Sequence, residues 1–143
     1  MTKPKLRVFL DSNVIFSGLY SSQKAPGKIL EYFIQGRICV VISRQVLEEI
    51  VRVMKEKLPG ALPFLNQLLM SSPPEIIADP LPAEVECWSR LLKMGDAAIL
   101  AAVISARPDY FVTGDNHFLN NRGMAEETGL HIITPAELWE LLN

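Results

Sequence analysis

The sequence predicts an α/β fold in which a mainly parallel sheet carries helices on both faces. Two observations predict it. Short apolar runs of strand length alternate with segments of helical periodicity from one end of the chain to the other. Two of those runs, Val8-Phe9-Leu10 and Tyr110-Phe111-Val112, pass directly into polar segments carrying Asp11 and Asp115, as buried strands do at the carboxyl edge of an open sheet. No internal repeat or low-complexity stretch competes with that architecture.

Each element has a local cause. Leu6 to Leu10 reads as a buried strand, and Ser12 to Tyr20 as a helical turn leading into a loop over Ser21 to Pro26. Leu30, Phe33 and Ile34 give one apolar face to a helix from about Gly27 to Gln35, stopped by Gly36. Ile38 to Ile42 is the second strand, and Ser43 is placed to cap a helix that runs to about Leu58 before Pro59-Gly60 breaks it. The charge-free segment Ala61 to Met70 is helical and ends in Ser71-Ser72-Pro73-Pro74. Glu75 to Ala78 is a short third strand, and Pro82 starts a helix expected to reach Leu92. Asp96 to Ala106 is apolar nearly all round, which implies a buried helix. Tyr110 to Thr113 and His131 to Ile133 are strands, and Thr134-Pro135-Ala136-Glu137 is a capping box with proline at the first position of a closing helix.

At 143 residues, 49% hydrophobic and 21% charged, the chain has the size and make-up of one globular domain over 1–143. Its longest small or apolar stretch, Ala97 to Ala106, is too short to span a bilayer, and no signal-type core precedes Asp11, so a cytoplasmic protein is expected. Cys39 and Cys87 fall in a strand and a helix context and are expected to be buried thiols. The net charge of −2 argues against nucleic-acid binding by overall attraction, but the charge is uneven. Residues 1–57 carry ten Lys and Arg against five acids, and residues 75–143 carry four against eleven. A basic half beside an acidic half suits a polyanion held next to cation-loaded carboxylates, although ordinary solubilisation produces the same asymmetry.

Four acids stand out because each lies at the end of an apolar run or on the rim of an apolar helix face: Asp11, Glu49, Asp96 and Asp115. Locally, each has a plainer role as a cap, turn or exposed helix residue. Glu49 is preferred over its neighbour Glu48 because it flanks the arc formed by Val46, Ile50, Val53 and Met54, whereas Glu48 points outward with Arg52 at i+4 as an expected ion-pair partner. Asp96 follows Gly95 and is expected to open, and so cap, its helix; Asp109 precedes its strand and is assigned to a turn. Carboxylates about 5 Å apart repel by roughly 3 kcal/mol per pair at an effective dielectric near 20, so a convergent cluster exists for protons or for a hard divalent ion. His117 and His131 lack ligand spacing, and neither reads as a general base. No phosphate-binding glycine loop, nucleophile elbow or cysteine nucleophile is present.

The segments Leu10 to Ser17, Ser43 to Ile50 with Glu49, Asp96 to Ala102, Asp109 to Asp115 and Ile132 to Leu138, in that order over nearly the full length, resemble a PIN domain. The resemblance is to the stand-alone, VapC-like branch of toxin–antitoxin systems. It implies a three-layer, doubly wound α/β/α domain and a Mg²⁺- or Mn²⁺-dependent endoribonuclease. Hydrolysis of RNA would then leave a 5′-phosphate and a 3′-hydroxyl. Asp11, Glu49, Asp96 and Asp115 take the metal-binding and catalytic places of that family, with Ser12, Asn13 and Thr113 supporting them. Where relatives often carry further acids beside the third position, this chain has Met94-Gly95 and Ala97-Ala98. Arg44, Arg52 and Lys55, on the helix bearing Glu49, are the nearest candidates to contact substrate phosphates. An antitoxin and a second subunit are the implied partners. The apolar helix within Leu58 to Pro74 can face either of them or the core. A catalytically silent PIN-fold module that binds RNA or protein is the alternative. Other acidic-pocket α/β folds fit less well, because a haloacid-dehalogenase pattern needs an acid where Asn13 stands.

Overall fold

A computed structural model of the chain describes residues 4–121 and 124–143. Among them the strands are β1 (Arg7–Leu10), β2 (Cys39–Ser43), β3 (Glu75–Ile77), β4 (Tyr110–Val112) and β5 (Ile132–Ile133). They form a five-stranded sheet in the order β3-β2-β1-β4-β5 in which all neighbours are parallel. The chain therefore starts at the centre, winds to one edge, returns past β1 and winds to the other edge. Right-handed crossovers in opposite directions place their helices on opposite faces, which gives the three-layer, doubly wound architecture that the alternating pattern predicts.

The helices are α1 (Ser12–Tyr20), α2 (Ala25–Ile34), α3 (Arg44–Lys57), α4 (Leu62–Ser71), α5 (Pro82–Glu86), α6 (Met94–Ala106), α7 (Asn116–Leu119), α8 (Met124–Thr128) and α9 (Pro135–Leu142), with a 3₁₀ turn at Pro59–Ala61. Ser43 caps α3 by accepting the Val46 N–H at 3.2 Å, and Val46, Ile50 and Met54 then repeat every fourth residue into the core. Thr134 and Glu137 close their capping box on α9 with bonds of 3.1 and 3.0 Å. In α6, Ala97, Ile99, Leu100, Ala101, Ala102, Val103 and Ala106 are all buried, as its all-round apolarity requires. Phe9, Phe111 and Phe118 form an edge-to-face chain through the core, with ring centroids 5.6 and 5.0 Å apart. Leu65 and Leu68 of α4 join the buried residues, while Phe64 and Met70 of the same helix are exposed. No helix among the described residues is long and apolar enough to cross a membrane.

Several expectations change. The α2 helix starts two residues early, at Ala25, because Pro26 fits its first turn. The helix from Pro82 stops at Glu86 instead of reaching Leu92. Beyond it the Trp88, Ser89 and Leu91 N–H groups each bond three residues back, and the Ser89 hydroxyl takes the Glu86 carbonyl at 2.8 Å, so the chain tightens into turns. The two thiols are exposed, not buried: Cys39 is the outward-facing first residue of β2, and Cys87 lies just past α5. Glu48 pairs backward with Arg44 at 3.1 Å, and Arg52 turns to Glu56 at 3.6 Å, so the expected Glu48–Arg52 pair is not formed. His131 falls just outside β5, although its carbonyl accepts the Phe111 N–H at 2.9 Å.

Candidate metal centre

The crevice beside the carboxyl ends of β1 and β4 lies where the winding reverses, the position at which open α/β sheets hold ligands. Asp11 leaves β1 there with 3% of its surface exposed. Its Oδ1 accepts the Ser12 N–H at 2.8 Å, capping α1, and its Oδ2 accepts the Thr113 hydroxyl at 2.8 Å and Asn13 Nδ2 at 3.2 Å. Burial pushes the Asp11 carboxyl up from 3.8 to about 6, and the Thr113 and Ser12 hydrogen bonds pull against that. The charges of Glu49 and Asp115 push in the same direction as burial, which puts both groups within electrostatic reach of Asp11.

Asn13 and Thr113 tie the two strand ends together. Asn13 Oδ1 accepts the Gly114 N–H at 2.9 Å, and Thr113 Oγ1 accepts the Asp115 N–H at 3.0 Å while its hydroxyl is given to Asp11. Thr113 has no exposed surface, so its one hydroxyl fixes both Asp11 and Asp115. Ser12 contributes through its backbone N–H. Asp115 caps α7 by accepting the His117 N–H at 2.8 Å, the turn role that its sequence context suggests.

Asp96 does not cap α6. That helix begins at Met94, which puts Asp96 in the first turn, where the helix dipole favours a carboxylate. His117 Nδ1 meets Asp96 Oδ2 at 2.8 Å and stands 3.5 Å from Asp115 Oδ1. Ligand atoms of Asp96, Asp115 and His117 all lie within 4.8 Å of one another. On the other side of Asp96, Gln45 Nε2 bonds the Gly95 carbonyl at 3.1 Å and ties α3 to the start of α6. Glu49, one turn along α3, shares with Asp96 and Arg52 the lining of an open cleft of about 460 Å³.

The fold thus gathers Asp96, Asp115 and His117 directly, links Asp11 to Asp115 through Thr113, and brings Glu49, with its neighbour Glu48, to a cleft that Asp96 also lines. Arg44, held by Glu48, and Lys55 do not line that cleft, whereas Arg52 does. Asp109 is at the opposite end of its strand, accepting the Arg7 N–H at 2.8 Å. His117 is the site residue that sequence reasoning passes over: its contact with Asp96 spans 21 positions and joins α7 to the first turn of α6. A family model described as PIN domain matches residues 7–117.

The chain belongs to the PIN domain family. The match ends on His117, so all of the gathered residues of this PIN domain fall inside it. Solved structures of the same fold include PAE2754 from Pyrobaculum aerophilum, at 19% identity and a TM-score of 0.65, with 93% of this chain and 86% of that one covered. Another is VapBC2 from Rickettsia felis, solved bound to a DNA fragment from its promoter, at 18% identity and a TM-score of 0.62 over 90% of this chain and 98% of that one. No curated protein matches the sequence of this PIN domain.

Proposed function

We propose that this PIN domain is a divalent-metal-dependent endoribonuclease that hydrolyses RNA phosphodiesters, acting as a single cytoplasmic domain over 1–143. The observation that carries the reading is the grouping of Asp96 and Asp115 with His117, supported by Thr113 bonding both Asp11 and Asp115 and by Glu49 lining a cleft with Asp96. PIN domains are generally nucleases, which supports the same class.

The donor set fits a hard divalent cation, since it is mostly carboxylate oxygen and includes a buried acid whose ionisation a positive charge would favour. Asp96 and Asp115, with Asp11 and Glu49 completing the set, would hold Mg²⁺ or Mn²⁺. Bound there, the ion supplies a water of lowered pKa and neutralises charge on the scissile phosphate. Asn13, Thr113 and the Ser12 N–H keep Asp11 turned into the crevice, and Thr113 keeps Asp115 beside it. Arg52, on the cleft wall, is best placed to draw in a phosphate, with Arg44 at the start of α3 and Lys55 near its end adding positive charge.

The same reading makes this PIN domain a toxin component, with a cognate antitoxin and a second copy of the chain as partners. Its likeness in fold to VapBC2 and the exposed Phe64 and Met70 on α4 support that part. The test uses EDTA-stripped protein on single-stranded RNAs with Mg²⁺ or Mn²⁺ restored. Cleavage is expected only with metal, and Asp11→Asn or Asp96→Asn should lower it by about a hundredfold or more. Undiminished cutting by either folded variant would refute the assignment.

A further inference from the structure

We infer that His117 is itself a metal ligand through Nδ1, so that this centre mixes nitrogen with carboxylate oxygen and prefers a first-row transition ion such as Mn²⁺ to Mg²⁺. The inference rests on the metal-dependent reading above and names the cation class for the same site.

The distances support ligation. Donor atoms sharing a six-coordinate ion with bonds of about 2.1 Å stand roughly 3.0 Å apart when adjacent and about 4.2 Å when opposite. Nδ1 lies 2.8 Å from Asp96 Oδ2 and 3.5 Å from Asp115 Oδ1, both near the adjacent value. One ring nitrogen therefore faces two carboxylates from different elements, and a cation entering between them would replace the hydrogen now shared by Nδ1 and Asp96.

The backbone that carries the ring is also held in position. A surface His–Asp pair contributes little by itself, and the His117 side chain is 54% exposed, so pairing alone gives no reason to fix it. Yet the His117 N–H is bonded to Asp115 Oδ1 at 2.8 Å, and its carbonyl takes Asn121 Nδ2 at 2.6 Å. The next residue, Phe118, is fully buried against Phe111 and anchors the whole short helix. An exposed ring on a pinned backbone, aimed inward at two acids, is arranged as a ligand would be.

Chemistry then sets the preference. Mg²⁺ demands oxygen donors and keeps much of its water, whereas imidazole nitrogen suits first-row transition ions, and mixed sets strengthen their advantage. The test is pulsed EPR on the full chain loaded with Mn²⁺, reading the modulation from directly coordinated ¹⁴N, alongside calorimetric titration of Mn²⁺ and Mg²⁺. The wild-type protein is expected to show ¹⁴N coupling that His117→Asn abolishes. That variant should bind Mn²⁺ about tenfold or more weakly, with a smaller change for Mg²⁺. Mn²⁺ bound without ¹⁴N coupling, or with coupling that survives in His117→Asn, overturns the inference and leaves the carboxylate centre standing. No Mn²⁺ binding at all overturns both. The wild-type spectrum decides the matter even if the variant folds poorly.

Discussion

The raised carboxyl of Asp11 predicts that the metal-free protein loses stability as pH rises, the reverse of an ordinary paired carboxylate. Its carboxyl is shifted from 3.8 to about 6, with burial as the leading cause. Each unit corresponds to about 1.4 kcal/mol, so the shift amounts to roughly 3 kcal/mol. Because the folded value lies above the unfolded one, the fold favours the protonated acid. That stabilisation is fully present below pH 3.8 and is lost as pH climbs through about 6. With 3% of its surface exposed, Asp11 has little solvent to screen the effect. The assay is urea denaturation in EDTA at steps from pH 4 to 8, comparing the wild-type protein with Asp11→Asn, so that other titrations largely cancel. The stability difference, wild type minus variant, should fall by about 3 kcal/mol and then level off above neutrality. In thermal melts this is roughly 6 to 12 °C for a chain of this size. Saturating Mn²⁺ at neutral pH should recover the lost stability in the wild type and not in the variant. A difference that stays flat, or that grows with pH, would refute the claim that burial dominates at Asp11.

Two further substitutions probe the frame of the site. Thr113→Val removes both the hydroxyl given to Asp11 and the acceptor of the Asp115 N–H, at a position with no exposed surface. It should cost about 1–3 kcal/mol and drive the Asp11 carboxyl still higher, read by denaturation and by NMR titration of that carboxyl. An unchanged or lowered Asp11 titration would count against the hydrogen-bond assignment. Gly27→Ala would ordinarily gain up to about 1 kcal/mol in a helix. Here the new Cβ meets the Ser22 Cα at 2.5 Å, backbone that cannot step aside, so a net loss of about 1–3 kcal/mol is expected in urea titrations. A stabilised variant would mean that the α1–α2 connection yields more easily than its packing indicates.

What was legible in the sequence was whatever is encoded locally. Ser43 and Thr134 announce their helices because a cap needs only its next three residues, and α6 declares its burial by having no polar face. Asp11 and Asp115 were visible as site candidates because a buried parallel strand ends abruptly in polar residues at the sheet's carboxyl edge. Helical phase alone separates Glu49 from Glu48 only in part: Glu49 is the more buried of the two and Glu48 pairs with Arg44, yet both line the cleft beside Asp96. The misses needed information from elsewhere in the chain. The turns after Glu86 follow from one serine competing for a helix carbonyl. Whether Glu48 reaches forward or backward is a choice between two arginines at equal spacing, which sequence cannot rank. His117 reads as isolated because its partner Asp96 belongs to a different helix, a contact that only the folded chain reveals.

Crystallography on protein soaked in Mn²⁺ is the decisive experiment for a divalent cation held between acids distant in the chain. An anomalous peak bonded to the carboxylates of Asp96 and Asp115, within reach of Asp11 and Glu49, is expected. Saturating Mn²⁺ with no peak in that crevice, or with ions bound only elsewhere on the surface, would contradict it.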